Sequence, residues 1–185
     1  MVFATAEARD LVVREHGAIE GGNQTIGRLA TYLDTLPTHE LVITRVFDAP
    51  RDLVFKTWTD PAHAKHWWGP REYPASELEM DARPGGMWRA RLKSTAGEKD
   101  LWHSGVFREV VAPERIVFTF AWDEMGERGL ETVVTVTLKE QGRKTHMTFH
   151  QAPFRSSGVC EGHEGGWGSC FDRLAEKLAK QCEAA

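Results

Sequence analysis

The sequence contains no apolar run that approaches the roughly 20 residues needed to cross a lipid bilayer. Its N-terminus also lacks a basic segment followed by an apolar stretch, so secretion is not indicated. Cysteine is scarce, with Cys160, Cys170 and Cys182 as the 3 cysteines of 185 residues. An odd and small number indicates free thiols in a reducing compartment. We therefore expect a cytoplasmic protein without a membrane span.

An excess of positive charge is missing as well. The formal net charge is −4, whereas binding to nucleic-acid phosphates normally needs a basic face. The glycine-rich segment 162–168 lacks the residues of a Walker motif, and no strand runs directly into it. Those glycines would instead let the backbone approach a sheet or a ligand closely. We expect no nucleic-acid partner and no cofactor.

Metal and redox chemistry are weakly supported. Cys160, His163 and Cys170 are of the residue types that zinc prefers, but their spacing is not a standard zinc-ligand spacing. A disulfide between Cys160 and Cys170 would need their Cα atoms within about 7 Å. We expect no metal site, and free thiols remain the simplest reading.

What the sequence does contain is a clear order of elements after residue 39. Residues 40–47 are β-branched and aromatic enough for a strand. Two short helices follow, the second introduced by Asp60 as a capping residue and Pro61 at its first position. Strand-like segments then occupy 72–82, 87–93, 101–111, 116–122, 130–138 and 144–150, with a bulge or bend expected at Gly105. Tight turns between successive strands predict an antiparallel sheet.

The chain ends on a predicted amphipathic helix, and residues 151–162 before it read as a loop. The helix carries one apolar stripe that should lie on the sheet, formed by Trp167, Phe171, Leu174, Leu178 and Cys182. At the other end, residues 1–38 stand apart as an arm, with helical spacing only at 24–36. A wholly flexible leader is the alternative for this arm. Residues 39–182 form the predicted domain.

Several segments resemble one family in both sequence and order. They are VFDAPRDLVF at 46–55, WTDP at 58–61, WWGP at 67–70, RPGG at 83–86, GVFREV at 105–110, PERIVFTF at 113–120 and GW at 166–167. Together they resemble START-like domains of the SRPBCC superfamily, in the branch named after the activator of the 90-kDa heat-shock protein ATPase. The resemblance covers about residues 40–179.

The resemblance implies an α+β helix-grip fold. In this fold a curved antiparallel sheet, here of about six or seven strands, wraps round a long C-terminal helix, and two short helices follow strand 1. It implies a cavity between sheet and helix but no particular reaction, because the superfamily spans carriers, receptors, cyclases and chaperone activators.

Aromatic residues are the natural material for such a cavity, and the chain has 7 tryptophans. The adjacent pair Trp67 and Trp68 should lie near the cavity mouth, where one ring packs in the core and the other is partly exposed. Inward histidines would orient a ligand. The predicted ligand-binding residues are Trp67, Trp68, Trp88, Trp102, His103, Phe120, Trp122, His150, Trp167 and Phe171; no catalytic residue is predicted.

Three functions remain open at this point. The first is non-catalytic binding of a small hydrophobic or amphipathic ligand. The second is a chaperone-activator-like interaction module, with a chaperone partner and a role in the stress response. The third is a small cyclase or hydrolase that uses an inward histidine, which would need a shifted pKa and a carboxylate partner. The oligomeric state is open too, a homodimer included.

Overall fold

The structure, a computed structural model, describes residues 5–16, 18–34, 39–124 and 127–183. The chain divides into two compact units, 1–37 and 38–185. In the first, the described residues form α1 (Ala6–His16) and α2 (Ala18–Asp34). The expected helix at 24–36 thus begins earlier, at Ala18, and its last two positions lie outside the described residues. Helix α1 was not predicted. Gly21 and Gly22 lie inside α2, since glycine weakens a helix by about 1 kcal/mol without forbidding it.

The second unit begins with a strand and two short helices and continues as a run of strands. Their bounds are β1 (His39–Phe47), α3 (Arg51–Thr59), α4 (Pro61–Ala64), β2 (Ala75–Met80), β3 (Met87–Leu92), β4 (Leu101–Val111), β5 (Arg115–Glu124), β6 (Glu127–Arg128), β7 (Thr132–Gln141), β8 (Lys144–Phe154) and α5 (Ser157–Glu183). None of the described helices combines the length and apolar character that crossing a membrane requires.

The strands form one antiparallel sheet in the order β1-β8-β7-β5-β4-β3-β2, with the two-residue β6 beside β5. The curved sheet and the long C-terminal helix confirm the predicted helix-grip fold. The small additional strand β6 accounts for the difference from the predicted strand number. Helix α5 packs mainly against β1 and β8.

The two short helices close one end of the unit. Asp60 caps α4, since its carboxylate accepts a hydrogen bond from the Ala62 amide at 2.9 Å, and Pro61 occupies the first turn. Val54, Phe55 and Trp58 of α3 are buried in the core. The Trp58 ring lies 4.6 Å from that of Trp67, edge to face.

Both rings of the Trp67–Trp68 pair are buried, with 0% and 2% of their surface exposed. The expectation that only one would face the core is therefore wrong. The chain has left α4 by this point and turns here, so the two side chains are not restricted to successive helical directions. Each indole N–H also has a buried acceptor: the Thr57 carbonyl for Trp67 at 3.0 Å, and His103 for Trp68.

Gly105 lies within an unbroken β4, and the shift in strand register comes later, between Phe107 and Glu109. The expected bulge at Gly105 is thus misplaced. A Cβ atom there would lie 1.7 Å from the Thr119 carbonyl oxygen and 2.6 Å from Nε1 of Trp88. Glycine is needed because Trp88 crosses β4 at this point to donate to the Thr119 carbonyl at 3.2 Å. The close approach of the Thr119 carbonyl and the Trp88 indole to the backbone is the reason for glycine at position 105.

Helix α5 begins at Ser157, so part of the segment interpreted as a loop, 151–162, is helical. The buried residues of its later turns are those of the predicted stripe: Trp167, Phe171, Leu174 and Leu178, together with Cys170. Cys182, the last predicted member, is exposed. The earlier turns, from Ser157 to Gly166, contain no buried residue.

Candidate ligand pocket

A cavity of about 390 Å³ lies beside these earlier turns of α5. One face of the helix borders it at spacings of three and four residues, as the helical period requires. Opposite stand the inward residues of β4 and β5 and the segment that follows α4. The lining residues are Trp68, Gly69, Pro70, Tyr73, Leu92, Leu101, His103, Phe120, Trp122, Val159, Gly162, His163, Gly166, Trp167 and Cys170.

The lining contains no Asp, Glu, Lys or Arg. Its polar side chains include two histidines from opposite walls, His103 of β4 and His163 of α5. Their charge state therefore decides the electrostatics of the cavity.

His103 is held neutral by its surroundings. It is 2% exposed and ringed by Trp88, Phe120 and Trp122, with ring centroids 4.9 to 5.3 Å away. Burial, with a smaller contribution from nearby His163, lowers the pKa of His103 to about 3. Its Nε2 accepts the Trp68 indole N–H at 2.8 Å, which places the proton on Nδ1.

His163 is neutral for a similar reason and belongs to a buried polar network. Burial lowers the pKa of His163 to about 4. Its Nε2 accepts the Trp122 indole N–H at 3.1 Å, and its Nδ1 lies 3.3 Å from Oε1 of Gln151. The same oxygen accepts the Trp167 indole N–H at 2.7 Å, while the Gln151 amide donates to Thr132 at 2.8 Å. These bonds set the orientation of both tryptophans.

A second cavity, of about 650 Å³, adjoins the first. The two share Phe120, Trp122, Val159 and His163, so the Trp122–His163 hydrogen bond stands between them. Unlike the first cavity, this one is bordered by charged side chains, Glu127, Arg128 and Arg155. Arg128 is paired with Glu131 at 3.1 Å. The apolar and the charged cavity are therefore neighbours with four lining residues in common.

The wall formed by Trp68, Gly69 and Pro70 is tied to α5 by Arg173. Its guanidinium donates to the carbonyls of His66, Trp68 and Gly69. Partial burial of this cation, the largest influence, lowers the pKa of Arg173. Hydrogen bonds from a charged donor are the stronger kind. This residue therefore holds the segment after α4, and with it one wall of the pocket.

Comparisons with known proteins agree with this architecture. Residues 48–179 match the family described as activator of Hsp90 ATPase homolog 1-like protein. The chain belongs to this family.

Solved structures of bacterial proteins show the same fold. A Chromobacterium violaceum protein is 26% identical over 75% of this chain and 96% of its own, with a TM-score of 0.69. A Silicibacter pomeroyi protein titled with the family name is 25% identical over 77% and 99%, with a TM-score of 0.71. One from Arthrobacter aurescens is 25% identical over 76% and 86%, with a TM-score of 0.68. No match to a curated protein was found.

Five of the residues predicted to bind a ligand line the first cavity of this family member: Trp68, His103, Phe120, Trp122 and Trp167. The other predicted residues, Trp67, Trp88, Trp102, His150 and Phe171, line neither the first nor the second cavity.

Each excluded residue has a physical reason for its position. Trp67, Trp88 and Phe171 are at most 1% exposed and fill the core. Trp102 has the opposite strand parity to buried His103 and lies under Arg89, whose guanidinium carbon is 4.2 Å from the ring centroid. His150 lies 2.9 Å from a Glu40 carboxylate oxygen, with 38% of its side chain exposed.

The predicted ligand-binding residues do not include His163, Gly162 or Gly166, although the glycines at 162–168 were expected to let the backbone approach a sheet or a ligand. They also do not include Gln151, which lies behind the lining and bonds to His163 and Trp167. Positions 159, 162, 163, 166, 167 and 170 do follow a helical period, but the glycines hide it because they carry no apolar side chain to mark the face. In isolation each such glycine lowers helix stability by about 1 kcal/mol relative to alanine.

The cysteines lie where neither a disulfide nor a metal site forms. Cys160 and Cys170 are ten residues apart on one helix, a rise of about 15 Å, so they cannot bond to each other. Burial raises the pKa of the Cys170 thiol to about 12. Within the described ranges, no group of three or more His, Cys, Asp or Glu residues could hold a metal ion.

Proposed function

We propose that this protein binds a small apolar molecule in the 390 Å³ pocket between α5 and strands β4 and β5. The observation that carries the proposal is a cavity with aromatic walls and no charged lining, next to a core in which Trp58, Trp67 and Trp88 are packed to at most 1% exposure. Cavities of roughly 300–1,000 Å³ with apolar walls and a few polar groups are typical ligand sites.

Catalysis is not part of the proposal. A histidine with a pKa of about 3 is a poor base near neutral pH, and Nε2 of His103 is occupied by the Trp68 indole. The cyclase or hydrolase alternative required a carboxylate beside the inward histidine, and in the described part of the chain none bonds to His103 or His163. The histidines instead orient the tryptophans of the wall.

Native mass spectrometry of protein purified from its own host tests this function. We expect a population heavier than the bare chain that collapses to the bare mass when the protein is denatured. His66→Gln, at an exposed position away from the pocket lining, serves as the matched control and should carry the same adduct. Finding only the bare chain in wild-type protein would count against a ligand that stays bound.

The family description supports a second candidate function for this protein, that of a chaperone-activator-like interaction module. It predicts that the protein accelerates ATP hydrolysis by a 90-kDa chaperone, and it does not need the pocket. Measuring that ATPase rate with wild-type protein and with a pocket-filled variant separates the two. Acceleration that survives pocket filling would favour the interaction module, whereas no acceleration would remove it.

A further inference from the structure

The earlier turns of α5 carry glycines for which packing gives no reason. A Cβ atom built on Gly162, Gly165 or Gly166 would have no atom within 4 Å beyond its own helix and chain neighbours. This contrasts with Gly105, where a Cβ would meet the Thr119 carbonyl. Of the two roles expected for the α5 glycines, a close approach of backbone to sheet is therefore not what these three positions show, and an approach of backbone to a ligand stays a prediction.

Two of these glycines differ from the third in what they face. Gly162 and Gly166 border the pocket one turn apart, whereas Gly165 does not line it. Between and beside them, His163 and Trp167 complete the same helix face. Any side chain at 166, which is half-buried, would enter the space that the pocket now occupies.

The opposite wall consists of rings. Phe120, Trp122, His103 and Trp68 are mutually packed, with centroids between 4.9 and 6.3 Å apart for the pairs in contact. Several of these rings meet edge to face, so ring faces and ring edges both border the cavity. Opposite them, Gly162 and Gly166 leave two positions of the helix without a side chain, and a planar aromatic molecule could pack between the two walls. With no charged side chain in the lining, a charged ligand would lose its hydration without compensation.

We propose that Gly162 and Gly166 set the depth of the pocket, and that the ligand they admit is a flat, uncharged ring system lying against the backbone of α5. This inference rests on the proposed function and adds its size determinant and its ligand class. The glycines weaken the helix, and the space they leave is what the ligand occupies.

The test uses calorimetric titration with two probes of similar shape, the uncharged ketone 2-acetylnaphthalene and the anion 2-naphthoate. We expect wild-type protein to bind the ketone at least tenfold more tightly than the anion. Gly166→Leu should weaken ketone binding at least tenfold, and Gly162→Leu should weaken it in the same direction. The control Gly165→Leu, on the same helix but outside the lining, should stay within twofold of wild type.

Thermal melts check whether the variants remain folded. Because leucine is a better helix former than glycine, each substitution should leave the melting temperature unchanged or raise it by about 2–4 °C. Ketone binding that is equal in wild type, Gly166→Leu and Gly165→Leu would overturn the inference and leave the proposed function standing. Equal binding of anion and ketone would overturn the uncharged ligand class. If wild type binds neither probe, the proposed function is contradicted and the inference falls with it.

Discussion

Acid should destabilise this protein through its two buried histidines. Folding holds His103 and His163 at pKa values of about 3 and about 4, against 6.5 for an ordinary histidine. Between pH 6.5 and about pH 4 the unfolded chain binds protons at both sites, while the folded chain keeps both histidines largely neutral. Stability is therefore fully present above pH 6.5 and is lost as the pH falls towards 4 and below.

The magnitude follows from the gap in pKa. At pH 4.5, about 2 pH units below the ordinary value, each imidazole lowers the free energy of unfolding by about 2.7 kcal/mol. The two together account for about 5 kcal/mol between pH 7 and pH 4.5, a large part of the stability of a typical domain.

Urea unfolding followed by circular dichroism at pH 7 and pH 4.5 measures this loss. His103→Gln retains a neutral acceptor for the Trp68 indole, so it should reduce the pH-dependent loss by about 2–3 kcal/mol. His66→Gln, which removes an exposed imidazole, is the control and should leave the loss close to that of wild type. If His103→Gln lost as much stability on acidification as wild type does, burial of His103 would not be a cause of the acid sensitivity.

Three further predictions concern the packing that supports the pocket. Gly105→Ala should lower the free energy of unfolding by more than about 3 kcal/mol or abolish folding, because its Cβ would overlap the Thr119 carbonyl. The control Gly165→Ala should melt at or above the wild-type temperature. Equal melting temperatures for the two variants would contradict the close approach at Gly105. Arg173→Met should lower the free energy of unfolding, measured in urea, by about 2–4 kcal/mol, because the bonds to three backbone carbonyls are lost. Lys180→Met, at an exposed position, is the control. The same free energy of unfolding for both variants would contradict the anchoring role of Arg173. Phe171→Ala, at a fully buried position, should cost about 3–5 kcal/mol, and a loss below 1 kcal/mol would show that α5 does not depend on this contact.

The elements of the fold could be predicted because they carry strong local signals, whereas their helix-grip arrangement was implied by the family resemblance. The capping pair Asp60–Pro61, the tight turns and the buried stripe of α5 each follow from residue chemistry alone. The first turns of α5 were not predicted as helix because their glycines, Gly158, Gly162, Gly165 and Gly166, are typical of a loop. The surrounding positions nevertheless keep the helical period.

The pocket was harder to predict than the fold because strand parity assigns a face but not a depth. Parity places Trp88 and Trp122 on the inner face alike, yet Trp88 fills the core and Trp122 borders the cavity. The Trp88 ring is enclosed by the rings of Trp68, His103, Phe118 and Phe120. The Trp122 indole instead bonds to His163 of α5 at the edge of the cavity. These tertiary contacts are not recorded in the strand pattern.

Ligand binding in the pocket is tested most directly by the response of the indole N–H signals in a nitrogen-15 correlation spectrum as 2-acetylnaphthalene is added. The pocket places Trp68, Trp122 and Trp167 against the ligand, and Trp102 lies outside it. Assigned by single Trp→Phe substitutions, the signals of Trp68, Trp122 and Trp167 should shift while that of Trp102 stays in place. Shifts confined to Trp102, or no shift at any indole at millimolar probe, would contradict binding in this pocket.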